Sequence, residues 1–328
     1  MKNTNQATAS IMRSSKEAAF YDDVISGLQS NPKRLHSKYF YDAAGDKLFQ
    51  ELMASKEYYP TRCELEIFAK KTGELGKAII AGGDSFDLIE LGAGDAMKST
   101  YLLRHLLEQH ADFAYLPIDI SANVITYLNS TLPAMFPGLQ ITGLNGEYFD
   151  MLEKAATLSK KRKVVLFLGS NIGNMSIIEG GAFLKRVRDH LNAGDMLLVG
   201  MDLKKNPKTI LAAYNDKGGI TKRFNLNLLS RINKELGADF NVDQFEHYPT
   251  YDPETGACKS YLVSTTDQHV KIGDETIRFL KDECIFMEIS QKFTIAQTDQ
   301  IANNNGFKPV TRFFDSKKWF VDVIWVAE

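Results

Sequence analysis

The chain has 328 residues, enough for two domains or one elaborated domain. Its 44% hydrophobic and 24% charged content fits a soluble globular chain and excludes collagen-like, coiled-coil and wholly disordered architectures. Lys plus Arg at 39 against Asp plus Glu at 41 leaves a net charge of −2, which offers no basic field to nucleic-acid phosphates or anionic lipid.

Cys63, Cys258 and Cys284 lie far apart, which suits a reducing compartment and not a disulfide framework or a zinc ribbon. The first twenty residues lack an apolar core of the kind that directs secretion. No apolar run approaches the ~20 residues needed to span a bilayer. The expectation is a soluble, cytoplasmic protein with no membrane or nucleic-acid partner; its oligomeric state is not read from the sequence, a monomer being favoured.

In chain order, the first sixty residues read as helical and are rich in Tyr, Phe and Lys. A regular beat of apolar strands then follows: Phe86 to Leu91, Ala114 to Ile120, Leu139 to Leu144, Val164 to Leu168 and Met196 to Met201. Near-continuous apolar strands are buried on both faces, the pattern of a parallel sheet. Helical stretches separate them, among them Ser99 to Glu108 and Glu179 to Leu191, and the run Lys160 to Lys163 reads as a solvated helix end. The predicted fold class is α/β, a doubly wound sheet.

From about Leu203 to Lys292 the beat is lost. A helical, Asn-rich stretch gives way to strand-like pieces at Lys259 to Ser264 and Ile285 to Phe293. The chain then closes on two strands, Gly306 to Phe314 and Trp319 to Ala327, with both tryptophans expected in the core. The expected division is a cofactor-binding domain of residues 62–202 plus 294–328 and a substrate-binding domain of residues 1–61 plus 203–293.

Glu90-Leu91-Gly92-Ala93-Gly94-Asp95 closes the first strand. Glycines there let the backbone turn tightly and approach a ligand, and the following helix offers free N–H groups. Asp119 ends the next strand, where a carboxylate can accept both ribose hydroxyls. A dinucleotide fingerprint needs a third glycine beside the pyrophosphate, but Met97 stands at that position, which favours S-adenosylmethionine over NAD. Gly146-Glu147-Tyr148 after the third strand can address an adenine, and it can equally be a surface turn. Gly169-Ser170-Asn171-Ile172-Gly173-Asn174 after the fourth strand faces the reacting centre in such folds, where an ordinary Asn-capped turn is the competing reading.

Seven segments together resemble a known family. They are KYFYDAAGDKLF (Lys38 to Phe49), EYYPTRCE (Glu57 to Glu64), ELGAGDAMK (Glu90 to Lys98), FLGSNIGN (Phe167 to Asn174), YND (Tyr214 to Asp216), FNLNLLSRINKELGADF (Phe224 to Phe240) and EISQKF (Glu288 to Phe293). In this order they look like the histidine Nα-methyltransferase family of the ergothioneine-biosynthesis type, which also includes fungal enzymes acting on prenylated tryptophan. The resemblance spans residues 34 to 328. It implies a class I methyltransferase (Rossmann-like) sheet with a second, substrate-binding domain, S-adenosylmethionine as cofactor, and trimethylation of the α-amine of L-histidine.

By motif, Gly92, Lys98, Asp119, Glu147, Tyr148, Gly169 and Ser170 would line the cofactor site, with Gly94 joining them from the glycine turn. Tyr41 would lie close to both methyl donor and amine. Tyr58, Asn174 and Tyr214 would bind the acceptor's carboxylate and amine, with Tyr41 and Asn174 as the catalytic pair. Glu288 and Ser290 would hold the imidazole. Two departures from the family pattern stand out, Glu147 in place of an aspartate and Ala257-Cys258-Lys259-Ser260 where an apolar methionine lies near the acceptor ring.

Glu288 and Ser290 also make physical sense alone. Residues i and i+2 of a strand share a face, a carboxylate accepts an imidazole N–H, and a hydroxyl can donate or accept. An indole has one N–H and would leave one of the two unpaired. A solvated strand face, continued by Lys292, is the competing reading. The six histidines form no ligand cluster, so no metal is expected. Ser170 lacks the G-x-S-x-G elbow of a hydrolase. Two alternatives remain, a methyltransferase for another amino acid or aromatic amine, and a non-catalytic nucleoside sensor.

Overall fold

The computed structural model describes residues 15–83 and 85–328. They sort into two compact units. One comprises the chain up to Ala54, Tyr214–Thr250 and Lys259–Glu288; the other comprises Ser55–Ala213, Tyr251–Cys258 and Ile289–Glu328. Residues 55–61, 203–213, 251–258 and 289–293, read from sequence with the substrate-binding part, sort with the sheet. The physical reason is a buried cluster at the end of the Met196–Asp202 strand. There Asp202 binds Tyr59, Lys205 and Lys292 together.

The second unit is built on an eight-stranded sheet. Its order is Phe307–Phe314, Phe320–Ala327, Met196–Asp202, Arg162–Phe167, Ser85–Leu91, Asp112–Asp119 and Gln140–Ile141, with Leu144–Asn145 also pairing Asp112–Asp119. Ser85–Leu91 runs parallel to both neighbours and is buried at every residue after Ser85. The closing hairpin is antiparallel and docks on Met196–Asp202. From Ser85–Leu91 the chain moves out to Asp112–Asp119, then returns to Arg162–Phe167 on the other side. This reversal is a topological switch point, the place where doubly wound sheets hold ligands beyond the carboxyl ends of their strands.

Ile89, Leu91, Ile118, Val165, Phe167, Leu184, Leu197 and Trp325 belong to one buried cluster. Helices Ile177–Asp189 and Ile295–Asn304 each begin with a capping box, Ser176 with Glu179 and Thr294 with Gln297.

Three local expectations are corrected. Leu139 to Leu144 is not one strand but two short ones, Gln140–Ile141 and Leu144–Asn145, interrupted at Gly143, where a Cβ would meet Asn129 at 2.8 Å. The Lys160 to Lys163 run is not a solvated helix end. Arg162 and Lys163 open a strand, Lys163 is 4% exposed, and its ammonium binds Asp87 at 2.6 Å. Of the two tryptophans Trp325 is buried, while Trp319 is half-buried and packs edge-on against Tyr59.

The first unit carries most of a four-stranded sheet in the order Lys33–Arg34, Cys284–Gln291, Ala257–Ser264 and Phe245–Tyr251, plus a hairpin of Gln268–Ile272 with Glu275–Phe279. Its longest helix, Ile220–Leu236, buries Phe224, Leu228, Leu229, Ile232 and Leu236 at helical spacing. Asp216 accepts the Ile220 and Thr221 amides at its start, and Gly237 closes it with a left-handed φ of 67°. Among the described residues no helix is long and apolar enough to cross a membrane.

Candidate active site

The glycine turn is anchored from below by Glu90, which is 3% exposed and accepts from Ser99 Oγ at 2.6 Å and Tyr115 Oη at 2.5 Å. Burial pushes its carboxyl up to about 7, against the pull of those two donors. Strand, helix start and neighbouring strand are thereby tied at one point. Gly92 has φ +71°, and a Cβ there would stand 2.7 Å from Tyr148 Oη. Gly94 has φ +54° and open space where a side chain would be. A backbone of this shape presents a cradle that only glycine leaves clear.

Asp119 sits opposite. Its Oδ2 accepts the Gly94 amide at 3.1 Å and its Oδ1 accepts the Ser121 amide at 2.9 Å, so the carboxylate is held at the strand end with lone pairs to spare. Tyr148 completes this wall. Burial, with the negative charges of Asp119 and Glu147 nearby, pushes its phenol up to about 12, so it stays protonated. Glu147 precedes the Tyr148–Leu158 helix and is exposed, and its side chain makes no capping bond.

The loop after Arg162–Phe167 forms the facing wall. Gly169 and Ser170 both adopt left-handed backbones, φ +76° and +57°. For serine this conformation is uncommon, and such strain gathers at functional sites. It is held by two contacts. Ser170 Oγ accepts the Asp202 amide at 3.1 Å, and the Gly169 amide donates to both oxygens of Glu64 at 2.8 and 2.9 Å. The Asn171 side chain lies near both Gly92 and Gly169, and Asn174 is exposed at the end of the same turn.

Glu64, fully buried, also pairs with Lys98. Burial works against the Lys98 charge, but Glu64 and Asp322 overcome it and hold its pKa above the ordinary amine value. Asp322 is pushed well above the usual carboxylate range by burial and by Glu64. Gly200 makes room for this cluster, since a Cβ there would lie 2.1 Å from Glu64 Oε1. Lys98 is therefore an ion-paired residue whose side chain is 20% exposed.

The expected acceptor residues divide between the units. Tyr58, Asn174 and Ser290 belong to the sheet unit, and Tyr41, Tyr214 and Glu288 to the other. Tyr41 is 47% exposed and meets Phe49 and Phe224 edge-on, while Tyr214 is buried at the end of its helix. Glu288 accepts from Ser260 Oγ at 3.4 Å, so the segment noted as departing from the family pattern supplies its support.

Lys292 is a further correction. It does not continue a solvated face; it is fully buried and donates to Ser290 Oγ and Asp202 Oδ2, each at 2.8 Å. Glu64 and Asp202 are not singled out in the sequence reading. Asp202 had a usable signal, an acid closing an apolar strand, the same signal that marked Asp119. Among the described residues no group of His, Cys, Asp and Glu could hold a metal ion.

Comparison with known proteins bears on this geometry. The family model for histidine-specific, S-adenosylmethionine-dependent methyltransferases matches residues 20–327. The chain is 36% identical over 273 residues to histidine N-alpha-methyltransferase of Mycolicibacterium smegmatis, covering 83% of each chain. It is 30% identical to ergothioneine biosynthesis protein 1 of Neurospora crassa, covering 87% of this chain and 32% of that one. It is 29% identical to an L-tryptophan methyltransferase of Psilocybe serbica, covering 90% and 89%.

Proposed function

We propose, from the premise that the chain belongs to the family of histidine-specific, S-adenosylmethionine-dependent methyltransferases, that it methylates the α-amine of L-histidine, in successive turnovers giving trimethylhistidine. The observation that carries the acceptor is the pairing of Glu288 with Ser290, two residues apart on one strand, with Ser260 behind the carboxylate. A ring with two nitrogens satisfies both groups, and an indole satisfies one.

The cofactor fits the sheet unit. Gly94 leaves a cradle open and Asp119 holds a fixed carboxylate that would meet the ribose, while Tyr148 and Glu147 would meet the adenine ring and its amino group. Lys98, Gly169 and Ser170 would complete its surroundings. S-adenosylmethionine, when bound, supplies an electrophilic methyl group on a sulfonium that becomes neutral on transfer.

The chain's own residues then have three tasks. Tyr58, Asn174 and Tyr214 hold the acceptor carboxylate and amine. Tyr41 and Asn174 orient the amine lone pair along the transfer axis, at the roughly 3–3.5 Å of a near-attack geometry. Tyrosine faces tolerate the growing ammonium through cation–π contact. No strong base is needed at the methyl; the amine has only to arrive neutral.

The test is incubation with S-adenosylmethionine and a pool of the twenty amino acids, followed by mass spectrometry. Histidine carrying one, two and three methyl groups is expected. Methylated tryptophan with unmodified histidine would refute the reading.

Two variants divide the site. Asp119→Asn keeps shape but removes the charge, and should weaken S-adenosylmethionine binding about tenfold by calorimetry. Unchanged affinity would remove Asp119 from the ribose position. Asn174→Ala should depress turnover while leaving cofactor affinity near wild type. Collapse of cofactor binding with normal turnover at saturation would assign that loop to the other ligand.

A further inference from the structure

We propose that Glu64 is a positioning residue for the cofactor, one carboxylate that holds the Lys98 ammonium and the Gly169 amide together. It thereby fixes the spacing between the start of the Ser99–Glu108 helix and the loop that faces it. The inference rests on the placing of Lys98 and Gly169 in the S-adenosylmethionine site above, and adds what sets them there.

Glu64 lies one turn into the Pro60–Ile80 helix and is fully buried. A buried carboxylate keeps its charge only where donors surround it. Here the Gly169 amide is shared between both oxygens, at 2.8 and 2.9 Å, and Lys98 Nζ donates to Oε2. Gly169 needs this partner. Its φ of +76° turns the chain away from the Arg162–Phe167 strand, and a backbone amide that leaves the ladder must find another acceptor. Lys98 stands at the N-cap of the Ser99–Glu108 helix. Burial works against its charge, and Glu64 is the first of the groups that outweigh it. The Lys98 side chain keeps 20% exposure and its ammonium has three donors, so pairing with Glu64 leaves others for a bound group.

The rest of the fold makes room for this one anion. A Cβ at Gly200 would come within 2.1 Å of Glu64 Oε1, so any side chain there would displace the carboxylate. Asp322, opposite Gly200 on the neighbouring strand, is fully buried and is held well above the usual carboxylate range by burial and by Glu64. It is therefore a neutral acid, which leaves Glu64 as the charge that Lys98 pairs with. An ion pair this deep adds little stability over apolar residues of the same volume. What it adds is orientation. An apolar residue at position 64 would fill the space but could not hold an amide and an ammonium at fixed positions.

The experiment uses the full chain and measures S-adenosylmethionine affinity by calorimetry, with Tm alongside. Glu64→Gln keeps shape and an oxygen for the Gly169 amide but removes the charge that holds Lys98. Its Kd for S-adenosylmethionine should rise about tenfold, with the histidine KM at saturating cofactor within about twofold of wild type. In a Lys98→Met background the same substitution should change Kd by less than about twofold, because the two residues act as one unit. Asp322→Asn, neutral like the acid it replaces, should leave Kd at the wild-type value. If Glu64→Gln alone does not fold, the double variant with Lys98→Met buries no stranded charge, and its Kd should match that of Lys98→Met. A lowered Tm with unchanged Kd in Glu64→Gln, losses that add independently of Lys98, or an equal loss in Asp322→Asn overturns the proposal. An unchanged Kd in Lys98→Met would instead refute the placing of Lys98 in the cofactor site.

Discussion

In a Glu288→Ala variant, the KM for histidine should rise by about 10- to 150-fold, the equivalent of about 1.5–3 kcal/mol for a lost charge-assisted hydrogen bond. The same change should narrow the preference for histidine over tryptophan. An indole brings one N–H to two polar groups, so its binding leaves one of them unpaired, and that penalty is how the pocket rejects the wrong ring. Alanine removes both the attraction and the penalty. Ser260 Oγ, 3.4 Å from Glu288 Oε1, would lose its acceptor, so Glu288→Gln is the control that keeps an oxygen there. The measurement is kcat/KM for histidine and tryptophan in wild type and both variants, with circular dichroism to establish that the fold survives. A ratio that stays fixed would place Glu288 outside the acceptor pocket.

The parallel strands were legible because burial on both faces writes itself into local sequence. Every residue of Met196–Asp202 is buried, and its apolar run reads as such. The glycine turn was equally plain, since φ values of +71° and +54° at Gly92 and Gly94 demand the residue type that marks them. Asp119 was legible by position, as the acid that ends a strand. Buried charge was not legible. Lys163 and Lys292 look like surface residues in any local window, because what buries them is a partner far along the chain, Asp87 for one and Asp202 for the other. Hydropathy records a charge but not its pairing. Tyr41 and Tyr214 had no local signal either, and their roles came from the resemblance alone. The break at Gly143 escaped notice for a similar reason: the Asn129 side chain that crowds it comes from a preceding helix.

The Asp87→Ala variant should be the most destabilised of those considered, by about 3–5 kcal/mol, with binding intact. Asp87 Oδ2 accepts from Lys163 Nζ at 2.6 Å and also from Ser159 Oγ, and the two charged side chains are 3% and 5% exposed. Removing the carboxylate leaves an ammonium buried with only Ser159 O, at 3.0 Å, and Ser159 Oγ, at 3.3 Å, to receive it. Those neutral oxygens do not replace an anion in a low-dielectric interior. At 2–4 °C per kcal/mol for a unit of this size, Tm should fall by about 6–20 °C. The pair sits near the start of Ser85–Leu91 and Arg162–Phe167, whereas the candidate site lies at their carboxyl ends. The KM for histidine and for S-adenosylmethionine, measured well below the new Tm, should therefore match wild type. The decisive comparison is Asp87→Leu combined with Lys163→Met, which removes both charges and keeps apolar volume. Buried ion pairs replaced by apolar residues of similar size are often neutral in stability, so the double variant should melt well above Asp87→Ala. If it melts as low as Asp87→Ala, the loss comes from packing around Asp87 and not from the stranded charge of Lys163.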